Sequence, residues 1–211
     1  MESKKLRLTD TRLLIATTNR GKVEEIRLYL KDLPLAVASL LDLDSANIYE
    51  EDSSSFLANA RGKSLFYGQF WEGLALGEDS GLAIDFLEGA PGVRSARFSD
   101  PCATDEKNIA KVLQLMEGVP EEERKARFIS CMVLSQGRKI LAEITGEARG
   151  FIATSKRGQS GFGYDPIFYY PPLDRTFAEL SPEEKNRVSH RGQALIELKA
   201  FLQKHLNRTN A

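Results

Sequence analysis

Residues 74–92 read LALGEDSGLAIDFLEGAPG. Residues 74–77 and 82–86 are short and apolar, which predicts two buried strands. Between them stand Glu78, Asp79, Ser80 and Gly81. The expectation is a strand pair with Ser80-Gly81 as the reversing turn and both carboxylates at a strand end. A carboxylate among apolar neighbours requires a partner. A metal is one: Mg²⁺ takes oxygen ligands, keeps waters and bridges to substrate phosphates.

Upstream, LLIAT (13–17) is a continuous apolar run and predicts a buried strand. TNRGK (18–22, with Thr17 before it) turns into a helix from about Lys22, with Val23, Ile26 and Leu30 on one face. PLAVASL (34–40) predicts a second strand. The acids Glu50, Glu51 and Asp52 precede a helix capped from the serines at 53–55. That helix carries Phe56, Ala60, Ser64 and Tyr67 and runs to about Trp71. Downstream, residues 88–101 are rich in Gly and Pro and predict loop. A helix opens near Thr104, with Asp105 and Glu106 favouring its dipole, and Gly118 and Pro120 end it. Residues 126–135 and 139–148 predict a hairpin joined by QGR. SPEE (181–184) is a capping box with proline at the first helical position. A final helix is expected from about Gln193 to Leu206. Helices and strands mix along the whole length, which predicts an α/β or α+β domain with a mixed sheet. Residues 1–12 are expected as a leader, 13–207 as one domain and 208–211 as a tail.

The chain has 211 residues, enough for one large domain or two intimate lobes. Lys+Arg total 29 against 30 Asp+Glu, so no global basic field marks a nucleic-acid coat. Cys102 and Cys131 lack the paired spacing of a zinc site and suit a reducing compartment. No apolar run is long enough for a bilayer, and the charged N-terminus lacks a signal-peptide core. A cytoplasmic protein is expected, with neither membrane nor nucleic acid as partner.

Three stretches could carry chemistry. In ATTNRGK (16–22) a strand meets a helix start, whose free N–H groups and Lys22 can hold phosphate. It is not a Walker A loop, and an ordinary strand–helix turn would read the same. Glu50, Glu51 and Asp52 by themselves read as a solvated helix start, whereas Glu78-Asp79 has apolar flanks. GFGYDP (161–166) sets Phe162 and Tyr164 beside Asp165, where aromatics can sandwich a base and an acid can accept a ring N–H. In EEKNRVSHRG (183–192), Lys185 and Ser189 share a helix face at i, i+4. His190, Arg191 and Gly192 then fall at a break between two helices.

Taken together, TNRGK, EDSGLAIDFLEGAPGVRSARFS, ARFISCMVL, GFGYDPIF and LSPEEKNRVSHRGQAL resemble the inosine/xanthosine triphosphate pyrophosphatase family in order and spacing, from about Leu13 to Leu198. The resemblance implies an α/β fold: a long mixed β-sheet flanked by helices, in two lobes with an active-site cleft between them. It implies a homodimer, Mg²⁺, and hydrolysis of ITP, dITP and XTP to the monophosphate and pyrophosphate. Carried over by position, Thr17, Thr18, Asn19, Arg20, Gly21 and Lys22 would hold the triphosphate. Asp79 would be metal ligand and general base, and Ser80 a substrate contact. Glu50 would be the second metal-side acid, with Glu51 equally near. Phe162, Gly163, Tyr164 and Asp165 would line the base site, and Lys185, His190 and Arg191 would complete it. Two departures stand out: Glu78 replaces the first Asp of the family's usual pair, and Thr18 stands where glycine is common. A hydrolase of other modified nucleotides and a non-catalytic nucleotide-binding regulator are the rival readings.

Overall fold

A computed structural model describes residues 11–43, 48–51 and 55–209. The first ten residues of the expected leader, Asp52, Ser53, Ser54 and the last two residues of the expected tail lie outside the described residues. Arg12 already belongs to the sheet, in β1 (Arg12–Ile15), which pairs in parallel with β2 (Ala36–Ser39) and with β3 (Leu74–Ile84). The β1–β2 crossover is α1 (Arg20–Leu30), which buries Val23, Ile26 and Leu30. α2 (Phe56–Gly68) precedes β3, and its cap is Ser55, whose side chain accepts from the Ala58 N–H. β4 (Lys125–Gln136) and β5 (Lys139–Ile152) form the expected hairpin. With β6 (Phe168–Tyr170) and β7 (Arg175–Thr176) they complete a seven-stranded mixed sheet ordered β2-β1-β3-β4-β5-β6-β7. α3 (Asp105–Leu115) is capped by Thr104.

The strand pair expected across residues 74–86 is one strand. β3 runs without reversal from Leu74 to Ile84 and pairs with β4 residue for residue, Leu74 with Gln136 through Ile84 with Ala126. Ser80-Gly81 is therefore not a turn, and Glu78 and Asp79 stand in mid-strand. The glycines mark close approach of neighbouring elements. A Cβ on Gly77 would lie 2.0 Å from the Ala60 carbonyl of α2, and one on Gly81 would lie 2.3 Å from Ser95 Oγ. The chain turns only after Ile84, through Glu88 in the left-handed region (φ 52°).

Alternation along β3 sorts its side chains between two layers. Leu74 and Leu76 pack in one core cluster with Val23, Ile26 and Leu30 of α1 and with Leu195, Leu198 and Leu202. Leu82 and Ile84 pack in another with Ile109, Val112, Phe128 and Phe168. Glu78 and Ser80 have the same parity and fall between the two clusters. Asp79 has the parity of Gly77 and Gly81, toward α2. On its other edge β3 pairs with β1 only from Leu74 to Leu76, closed by Ala16 N–H to the Leu76 carbonyl at 2.8 Å. Beyond that, among the described residues, the edge meets only an isolated bridge from Ala83 to Pro91. The strand thus carries polar residues where the sheet opens.

α4 (Pro182–Val188) has the expected capping box between Ser181 and Glu184. The last helix, α5 (His190–Thr209), starts three residues before the expected Gln193 and runs into the expected tail. The break falls at Ser189 in extended backbone. Its hydroxyl accepts from the Gly192 N–H at 3.0 Å, which caps α5. His190, Arg191 and Gly192 are thereby the first turn of α5 and not the break itself. Among the described residues no helix is long and apolar enough to cross a membrane.

Candidate active site

A cavity of about 420 Å³ opens at the free edge of β3. Its first wall is the β1–α1 turn. Asn19 caps α1, its Oδ1 accepting from the Lys22 N–H at 3.0 Å, and Thr17 Oγ1 accepts from the Asn19 N–H at 3.2 Å. Thr17, Thr18, Asn19 and Lys22 line the cavity. Arg20 and Gly21, expected with them, do not. Arg20 is exposed. Gly21 lies under Phe162, where a Cβ would come within 2.5 Å of the ring.

The second wall is α2 and the odd face of β3. Asp79 is buried, and its Oδ2 accepts from Asn59 Nδ2 at 3.0 Å. Its Oδ1 accepts from the Ser80 N–H at 3.0 Å and lies 3.7 Å from Lys63 Nζ. Lys63 in turn pairs with Glu51 at 2.7 Å. Burial pushes the Asp79 carboxyl up from its ordinary value, and the Lys63 and Lys22 charges only partly offset this. Glu51 lines the cavity, while Glu50 is exposed and does not.

Glu78 leaves the opposite face. It is wholly buried and divides its two oxygens. Oε2 pairs with Lys22 Nζ at 2.7 Å. Oε1 accepts from Arg191 Nε at 3.2 Å, Arg191 Nη2 at 3.1 Å and Ser130 Oγ at 3.0 Å. Burial pushes this carboxyl up, but Lys22 and Arg191 outweigh it and hold the group below the usual carboxylate range.

The third wall joins the C-terminal loop to α4 and α5. Lys185 Nζ lies 2.6 Å from Asp165 Oδ2 and 2.7 Å from Glu25 Oε1. Asp165 Oδ2 also accepts from the Phe162 N–H at 2.9 Å, and its burial raises the carboxyl against the pull of Lys185. Arg191 pairs with Glu25 through Nη1 and donates from Nη2 to Ser80 Oγ at 2.8 Å. Both cations face the Phe162 ring, Lys185 at 4.7 Å and Arg191 at 5.5 Å from its centroid. Gly163 donates its N–H to Asp105 at 2.7 Å, and the Tyr164 hydroxyl donates to the Ser95 carbonyl at 2.8 Å. His190 stacks on Phe128 at 4.6 Å, and burial, then Arg191 and Lys185, depress its pKa well below the ordinary histidine value. Its Nδ1 is buried and makes no hydrogen bond within the described residues.

Of the expected site residues, the structure gathers Thr17, Thr18, Asn19, Lys22, Asp79, Ser80, Phe162, Gly163, Tyr164, Asp165, Lys185, His190 and Arg191 around one cavity. Lys63 and Asp105 join them at the cavity, and Asn59 and Glu25 stand behind it, bonded to Asp79 and to Lys185 and Arg191; the reading of the sequence gave none of the four a place in the site. Asn59 and Lys63 lie at i, i+4 on α2, on the face that also buries Ala60 and Ser64. Two polar residues at that spacing on a buried face are the available signal. Glu25, three residues after Lys22, carries the same kind of signal on α1.

A model of the Ham1 family matches residues 13–201. A dITP/XTP pyrophosphatase of Geobacter sulfurreducens is 45% identical over 192 residues, covering 91% of this chain and 96% of its own. A dITP/XTP pyrophosphatase of Desulforamulus reducens is 44% identical over 184 residues, covering 87% and 92%. Among solved structures, a HAM1 protein from Coxiella burnetii superposes with a TM-score of 0.83 at 38% identity, covering 92% of this chain and 99% of that one.

Proposed function

The chain belongs to the Ham1 family, and from that premise we propose that it hydrolyses the non-standard purine triphosphates ITP, dITP and XTP to the monophosphate and pyrophosphate. The observation that carries the reading is the polarity of one cavity. Lys22 and Lys63 with the carboxylates of Asp79 and Glu51 mark one end, and Phe162 flanked by Lys185 and Arg191 marks the other. A cavity of about 420 Å³ is of the size that takes a small ligand.

Lys22, Thr17 and the α1 N-terminus hold triphosphate oxygens by charge and by donated hydrogen bonds. Lys63 offsets phosphate charge beside Asp79. The Asp79 carboxylate, fixed by Asn59 and the Ser80 amide, takes the proton of the attacking water. Burial raises its pKa, which makes it a better base than an exposed aspartate. Most of the acceleration then comes from positioning and fixed charge.

Mg²⁺ belongs to the same proposal. Among the described residues no group of three or more His, Cys, Asp or Glu is placed to hold a metal. Asp79 and Glu51 bracket Lys63, and two carboxylates suit Mg²⁺, which completes its shell with water and phosphate oxygens. When bound there, the ion would neutralise phosphate charge and polarise the bond to be cut. We place Glu51 in this role ahead of Glu50, because only Glu51 lines the cavity.

At the base end, Phe162 offers a face for stacking. Hypoxanthine and xanthine present an O6 acceptor and an N1–H donor, and adenine reverses both. Arg191 or Lys185 would donate to O6, and Asp165 would accept the N–H. The neutral His190, with its unpartnered Nδ1, is a further group that can read the ring. A homodimer and a cytoplasmic setting complete the proposal; the free thiols Cys102 and Cys131 suit a reducing compartment. The test is a panel of triphosphates assayed with Mg²⁺. ITP, dITP and XTP should be turned over at least about 10²-fold more efficiently than ATP. Equal rates on ATP would overturn the purine selectivity.

A further inference from the structure

Among the described residues, Glu78 is the one buried carboxylate in the site that touches both ends of the cavity. Lys22, at its Oε2, belongs to the first turn of α1 and to the phosphate end. Arg191, at its Oε1, belongs to the first turn of α5 and to the base end. The Arg191 contact is lopsided. Nε and Nη2 both bond to Oε1, whereas a guanidinium and a carboxylate free to choose form two parallel bonds, one to each oxygen. Lys22 holds the second oxygen and prevents that arrangement. Glu25 lies behind the pair, tied to Lys185 and Arg191, so Arg191 has no other free carboxylate oxygen to turn to among the groups it contacts.

The geometry points to Glu78 as a positioning residue that couples base binding to phosphate binding. The inference rests on the proposed function. A triphosphate that draws Lys22 toward its own oxygens releases Oε2. Arg191 can then close the second bond and fix the plane of its guanidinium beside Phe162 and Ser80. Phosphate occupancy thereby tightens the base end, and by linkage base occupancy tightens the phosphate end by the same factor. Glu78 is engaged by Lys22, Arg191 and Ser130, which leaves Asp79, on the other face, as the member of the pair facing Lys63 and Glu51.

The test uses two half-ligands with the full-length protein and Mg²⁺. Inosine probes the base end and imidotriphosphate, which resists hydrolysis, probes the phosphate end, each by calorimetric titration alone and with the other saturating. In the wild type, imidotriphosphate should lower the Kd of inosine about fivefold or more. Glu78→Gln, which keeps the shape but not the charge, should bind both with a coupling factor near one. Glu78→Asp, one methylene shorter, keeps the charge but cannot span Lys22 and Arg191 together. It should also lose the coupling, and it decides the matter if the Gln variant fails to fold. A wild-type factor of one, or the full factor retained in the variants, would overturn the proposal while leaving the functional reading intact. Failure of the wild type to bind either half-ligand would overturn both.

Discussion

Glu78 and Asp79 are adjacent in sequence, yet their carboxylates leave opposite faces of β3. Glu78 meets Lys22 at 2.7 Å on the α1–α5 side, and Asp79 meets Asn59 at 3.0 Å on the α2 side. A pair that reads as one acidic motif is two devices. The period-2 geometry of a strand enforces the split once the residues lie in mid-strand.

Asp79→Asn removes the proposed proton acceptor but keeps the hydrogen bond from the Ser80 amide. Turnover of ITP should fall by about 10²–10⁴, with nucleotide affinity retained and the protein folded once Asn59 turns its amide oxygen toward the new NH2 group. Steady-state kinetics beside a binding titration check this. Near-normal turnover would remove Asp79 as the base.

Glu51→Gln and Glu50→Gln separate the two candidate metal-side acids. The first should raise the Mg²⁺ concentration needed for half-maximal activity by about tenfold or more, and the second should leave it unchanged. A magnesium titration of each variant is the measurement.

Gly21→Ala places a methyl group against the Phe162 ring, where the built distance is 2.5 Å. Such crowding costs about 1–3 kcal/mol, which displaces the ring from beside Lys185 and Arg191. The expected result is a KM for ITP raised about tenfold, at roughly 1.4 kcal/mol per decade, with kcat changed less. An unaltered KM would show that the base does not use the Phe162 face.

His190 is held neutral in the folded protein, whereas it charges near pH 6.5 when unfolded. Below that pH the unfolded chain binds the extra proton, so stability should fall as pH drops through about 6.5. Glu78, held low, stays ionised in this window, whereas Asp79 and Asp165, raised by burial, act with the opposite sign, so the His190 part is read as the difference between the wild type and its variant. Urea unfolding at pH 7.5 and 5.5 should show a loss in the wild type that shrinks in His190→Gln.

The helices with clear caps were legible in the sequence. Ser181 with Glu184, and Thr104 before α3, cap the starts of their helices through side chains that sit beside the residues they serve. So was the hairpin of β4 and β5, a local pairing. The course of β3 was not. Gly81 has the composition of a turn, and only the packing of Ser95 and α2 against the strand shows why glycine stands there. The same holds at the site. Lys22, Asp79, Phe162 and Arg191 stood out by residue type in motif-like turns. Lys63, Asn59 and Glu25 lie inside regular helices, where a charged residue usually means a solvated face. Their roles follow from partners up to 166 residues away, as between Glu25 and Arg191, and single-sequence periodicity does not carry that distance. Glu78 is intermediate: its burial was legible, but its partners were not.

The central claim is that one cavity cuts the triphosphate of a 6-keto purine between the α and β phosphates. The most direct measurement follows ITP with Mg²⁺ and quantifies IMP, IDP, pyrophosphate and orthophosphate together. The account predicts IMP and pyrophosphate in equal amounts, with both lost in Asp79→Asn. IDP and orthophosphate as the primary products would contradict it.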